Sequence, residues 1–139
     1  MMKRFLLGLG ALLAFAVGGA ALAQSVGDAV FGSLRLDTGT KTATATAGAA
    51  TLSKTSGKVT SEALTTAAAA TYTLTITNTR VVAVDQAFVS VANVTNSAGS
   101  PQVQSVTPGA GSLVVVIRNA HATEAFNGTL RISFFVLKN

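Results

Sequence analysis

The one histidine of this sequence, His121, is followed three residues later by Glu124. A helical turn over Ala120–Phe126 would bring the two side chains together, and an imidazole beside a carboxylate can move a proton. The rest of a site is missing. No serine sits in a G-x-S-x-G elbow, and two ligands fall short of the three or four that zinc takes. The remaining carboxylates, Asp28, Asp37, Glu62 and Asp85, form no adjacent or periodic pair for acid–base work. Gly109-Ala110-Gly111 has neither the Lys-Ser/Thr of a P-loop nor a dinucleotide fingerprint, and reads as a hairpin turn. His121 therefore reads as a loop hydrogen-bonder. The chain is read as non-enzymatic, with no catalytic residue, no metal site and no cofactor.

Export is the clearest functional signal. Lys3 and Arg4 precede a nearly unbroken apolar run, Phe5 to Val17, and Ala21-Leu22-Ala23 supplies the small-x-small pattern of a signal-peptidase site. Residues 1–23 read as a cleavable signal peptide, with Gln24 as the new N-terminus. The alternative is an uncleaved anchor, but the apolar core is shorter than the ~20 residues that span a bilayer. After cleavage the longest strictly apolar run is Leu113–Ile117, so no stable membrane span is expected. The localisation that follows is periplasmic, cell-surface or secreted.

Losing Lys3 and Arg4 lowers the formal charge from +5 to +3. The remaining cations are scattered singly, which argues against a nucleic-acid partner. There is no cysteine, so stability must come from the core, from sheet pairing or from association between copies. The absence of Trp and the single Tyr weigh against an aromatic sugar platform.

Thr, Ala, Val, Gly and Ser dominate residues 24–139, and Thr and Val favour a pleated surface over a helix. In Thr71–Thr77, Tyr72, Leu74 and Ile76 alternate with threonines, the period of a half-buried strand. Further strands are read at Ala29–Leu36, Lys58–Leu64, Phe88–Val94, Gln102–Thr107, Ser112–Arg118 and Thr129–Leu137. Turn signals stand at Asn96–Pro101, Pro108–Gly111 and Asn127-Gly128. Thr38–Ala50 has two readings: a flexible Thr/Ala-rich linker, or a strand in which Thr42, Thr44 and Thr46 alternate with Ala43, Ala45 and Ala47. The strand is favoured, though residues 24–55 as a whole retain some linker character. The expected architecture is all-β: a single β-sandwich domain, 24–139, of about eight antiparallel strands in a Greek-key or jelly-roll-like order.

Two strands carry apolar residues on both faces, the second of them only toward its end, after Arg131 and Ser133. Leu113–Ile117 should be covered on both sides. Thr129–Leu137 turns Phe135 and Leu137 away from the face formed by Leu130, Ile132, Phe134 and Val136. Val114, Val116, Phe135 and Leu137 are therefore the candidate self-association residues.

Two runs, Ser56-Gly57-Lys58-Val59-Thr60-Ser61-Glu62-Ala63-Leu64-Thr65-Thr66-Ala67 and Thr71-Tyr72-Thr73-Leu74-Thr75-Ile76-Thr77-Asn78, resemble a small module of tailed-phage and prophage virion-associated proteins. So do Val106-Thr107-Pro108-Gly109-Ala110-Gly111-Ser112 and Asn127-Gly128-Thr129-Leu130. The resemblance, in strand texture and turn placement, covers residues 40–137. It implies a sandwich used as a structural or attachment module, often oligomeric. The leader departs from it, because virion proteins assemble in the cytoplasm, so an exported relative fits better.

The expected function is an exported structural or attachment protein that self-associates, with a cell-surface or virion component or a glycan as further partner. Two alternatives remain. One is a carbohydrate- or ligand-binding module using the loops Asn96–Pro101 and Asn119–Asn127. The other is a pilus-type subunit donating Thr38–Ala50 as a strand. Intact-mass measurement of the exported protein should find Gln24 as its first residue; a chain that retains Met1–Ala23 would overturn the leader.

Overall fold

Threonine and small residues alternating with branched apolar ones give each sheet one greasy side. The structure is a computed structural model that describes residues 41–139. Its strands are β1 (Thr42–Thr44), β2 (Ala49–Thr51), β3 (Ser56–Thr60), β4 (Thr71–Thr77), β5 (Gln86–Asn93), β6 (Pro101–Gly109), β7 (Ser112–Asn119) and β8 (Leu130–Leu137). They form two four-stranded sheets, ordered β1-β3-β8-β5 and β2-β4-β7-β6, packed as a sandwich. The leader, the strand expected at Ala29–Leu36, and Asp28 and Asp37 lie outside the described residues.

The core is the pair of inner faces. Tyr72, Leu74 and Ile76 of β4 are buried between exposed threonines. Leu113, Val115 and Ile117 of β7 meet Leu130, Ile132 and Phe134 of β8 in the same cluster. Each fully buried Leu or Ile contributes about 1.5–3 kcal/mol. Phe126 and Val81, from the loops, plug the ends of the layer.

The expected antiparallel order is corrected at two pairings: β1 runs parallel to β3 and β2 parallel to β4. Parallel neighbours need a crossover, and here the chain supplies one by changing sheets. Between β1 and β3 it visits the opposite sheet as β2, and between β2 and β4 it returns as β3.

Thr38–Ala50 is accordingly not one strand within the described residues. It breaks at 45–48, where Ala47 and Gly48 take positive φ, 49° and 74°. A Cβ on Gly48 would lie 2.7 Å from the Thr73 carbonyl oxygen, so both the turn and the close approach require glycine. The segment's two strands, β1 and β2, are paired to β3 and β4 of the same chain.

Ala120–Phe126 forms no helix. The strand expected at Lys58–Leu64 begins and ends earlier, at Ser56–Thr60. The hairpin at Pro108–Gly111 is present, with Gly109 paired to Ser112. Leu113–Ile117 is fully covered on one side only, since Val114 and Val116 on the outer face are half-buried.

The end of β8 is tied down by charge. Asp85 is buried; its Oδ2 accepts from the Val82 N–H at 2.8 Å and from the Lys138 ammonium. Lys138 Nζ also donates to the Arg80 carbonyl at 2.7 Å. The hydrogen bond from Lys138, with help from the Val82 N–H, holds the Asp85 carboxyl below the usual carboxylate range. A folded-state value below the unfolded one stabilises the fold above the unfolded pKa, and that contribution vanishes as pH falls through the folded value. Melting temperature followed from roughly pH 5 down to roughly pH 2 should fall less steeply for Asp85→Asn than for the unaltered chain. Equal slopes would show that the ion pair contributes nothing.

Candidate functional site

The histidine and the carboxylates among the described residues are engaged by the fold. His121 Nδ1 accepts from the N–H groups of Thr123 and Glu124, at 3.2 and 2.9 Å. An acceptor Nδ1 leaves the proton of the neutral ring on Nε2, which faces Glu124 Oε2 at 3.6 Å. The two side chains approach each other without the expected helical turn, within a loop. Glu62 is likewise engaged: Oε1 accepts from the Gly48 N–H at 2.8 Å and Oε2 from the Tyr72 hydroxyl at 3.1 Å. Burial, then the charge and hydrogen bond of Glu62, push the Tyr72 phenol well above its ordinary range. Among the described residues no three His, Cys, Asp or Glu side chains gather to hold a metal ion.

The two loops read as a candidate ligand site do come together, and asparagine amides join them. Asn119 is fully buried. Its Oδ1 accepts from the N–H groups of Ser100 and His121, at 2.9 and 3.1 Å. Its Nδ2 donates to the carbonyls of Thr66, Ala67 and Glu124, at 3.2, 3.3 and 2.7 Å. Asn96 Oδ1 takes the Asn127 N–H at 2.9 Å, and Asn127 Oδ1 takes those of Ser97 and Ala98, at 2.8 and 3.1 Å. Gly99, at φ 72°, leaves the space in which Phe126 and the Asn119 amide sit. These amides bind the loops to each other and are spent there. Asn119 was not singled out from sequence, since a buried amide bonded to loops some fifty residues away carries no local signal.

What the described surface does offer is an apolar patch on the outer face of the β1-β3-β8-β5 sheet. Phe88 on β5 lies opposite Phe135 on β8, and their rings stack with centroids 6.4 Å apart at 24°. Next along the strands, Leu137 pairs with Gln86. Phe88 is 57% and Leu137 50% exposed. Beside the rings, Phe88, Ser90, Ser133 and Phe135 line an open depression of about 320 Å³. Val82 and Val84, in the loop that precedes β5, are also exposed.

The expected self-association residues thus divide. Phe135 and Leu137 lie in this patch. Val114 and Val116 lie on the outer face of the other sheet, where threonines of β4 and Ser105 and Thr107 of β6 flank them. Phe88 was overlooked as a contact residue, although the inward placement of Val89 and Val91 already turns it outward. No helix among the described residues is long and apolar enough to cross a membrane. Comparison with protein-family models, with curated proteins and with solved structures found no match.

Truncating Asn119 to Ala would orphan buried N–H and C=O groups on three loops, at about 1–3 kcal/mol each where water cannot replace the amide. Asn119→Ala should lower unfolding free energy in urea by roughly 3 kcal/mol and speed amide exchange at Ser100 and His121. A loss within the noise of a surface substitution would refute the loop-tying role.

Proposed function

We propose that this chain is an exported, non-enzymatic β-sandwich that works through surface contact, first with copies of itself, as a structural or attachment component. One observation carries the reading: Phe88, Phe135 and Leu137 form an exposed apolar patch on one outer face of a chain whose described carboxylates and histidine are engaged in holding loops and corners. Exposed contiguous apolar surface of this kind marks contact sites in soluble proteins. The leader-like N-terminus supports a place outside the cytoplasm, and the resemblance to phage-associated modules supports an attachment role.

A ligand site in the paired loops is the less favoured reading, because the side-chain amides a sugar would need are already bonded. The processed chain, residues 24–139, should give a mass by light scattering that rises to a whole multiple of the monomer at high micromolar concentration. A constant monomer mass would overturn self-association.

A further inference from the structure

Resting on that self-association reading, we infer that two copies join through the free edge of β5, pairing it antiparallel with its own image about a two-fold axis at Ser90. The edges of the sandwich are unequal. β1 and β2 are three residues each and are bound together at the 45–48 corner, where Thr46 pairs with Ala49. β6 carries Pro101 and Pro108 and a register break between Val103 and Ser105. Short strands, prolines and bulges are the devices that keep an edge from accepting another strand. β5 has none of them; β6 of the facing sheet lies close to it, but belongs to the other hydrogen-bonded sheet. It is eight residues long, Gln-Ala-Phe-Val-Ser-Val-Ala-Asn, and pairs with β8 without a break in register.

The direction of its free backbone groups follows from the ladder. The Val94 N–H donates to Thr129 O, so the even-numbered residues of β5 bond to odd-numbered residues of β8. The opposite side of β8 agrees: Val136 N–H donates to Thr55 O, and Leu130 O accepts from Ser61 N–H. The N–H and C=O groups of Ala87, Val89, Val91 and Asn93 therefore point out of the sheet. These four positions are symmetric about Ser90. An axis there matches Ala87 with the partner's Asn93 and Val89 with the partner's Val91, and every outward group finds a partner.

The occupant is a second copy for three reasons. The strand carries no charge, so it meets itself without repulsion. The two-fold arrangement is the one in which a single patch complements itself. The apolar patch adjoins this edge, because Phe88 belongs to β5 and is set opposite the partner's Ala92, extending the outer face across the joint. The inner residues Val89 and Val91, only partly buried, gain cover as well.

Amide exchange on the processed chain above and below its association midpoint tests this. The N–H groups of Ala87, Val89, Val91 and Asn93 should be protected at least about tenfold more in the associated state, while Phe88 and Ser90, bonded to β8, stay slow throughout. Val89→Pro, which removes an outward donor without touching the β8 ladder, and Ser90→Lys, which sets two ammonium groups face to face, should each raise the dissociation constant at least about tenfold. Circular dichroism should remain β-type in both. Added salt should partly restore Ser90→Lys dimers and leave Val89→Pro unchanged. An associated state with fast exchange at all four outward amides would overturn the edge pairing and leave self-association standing. Protection that does not vary with concentration would assign the edge to a strand of the same chain and equally overturn it. A chain monomeric at every concentration would sink both.

Discussion

The crossing of the chain between its two sheets at residues 45–48 is the constraint on which the rest of the sandwich depends. With β1 and β2 in opposite sheets, each of the next two strands lies beside the earlier strand of its own sheet, and the two pairings are parallel. The turn itself is unfavourable for an alanine at φ 49°. It is held by groups far along the chain: the Glu62 carboxylate accepts from the Gly48 N–H and, through its other oxygen, from the Tyr72 hydroxyl, and Gly48 O accepts from the Thr75 N–H at 2.8 Å. A buried tyrosine hydroxyl needs such a partner. One acidic side chain thus closes the corner and satisfies the core tyrosine together.

A cysteine-free domain must tie its loops by other means, and here buried amides do it. Asn78 is fully buried; its Nδ2 donates to Lys54 O at 2.7 Å and its Oδ1 accepts from the Arg80 N–H at 3.0 Å. Asn119 does the same for three loops at the other end of the sheet. An asparagine side chain presents a donor and an acceptor in one plane, as the backbone does, so it can replace a missing strand neighbour where the ladder ends. The consequence for function is direct. Loops that in other sandwiches adapt to ligands are here held from within by these amides.

The sheets were legible in the sequence where period-2 alternation was unambiguous. Thr71–Thr77 has the bounds that its pattern predicts, and β7 and β8 differ by a single residue at one end. The reading failed where alternation did not determine geometry. Thr and Ala alternate through 42–47 whether the chain runs straight or turns, and the break is imposed by Glu62 and Thr75, which are distant in sequence. The amide ties were illegible for the same reason: an asparagine in a turn looks alike whether it faces water or a buried carbonyl. Phe135 and Leu137 were legible as outward residues because the strict alternation of β8 sets them opposite Phe134 and Val136. That Val114 and Val116 share no surface with them follows from sheet order, which periodicity does not contain.

An apolar face and an open edge act differently on a partner. The stacked Phe88 and Phe135 rings provide area, but area is non-directional and does not select one orientation. A strand edge has direction and register, because its N–H and C=O groups alternate along a fixed line, and a slip of one residue turns every inward side chain outward. On β5 such a slip would bring Val89 and Val91 to the surface and drive Phe88 and Ser90 into a core already filled by Ile132 and Phe134. The packing of β5 on β8 therefore fixes which of its backbone groups face out. A contact built on this surface inherits that register, so its geometry is set by the fold before any second molecule arrives.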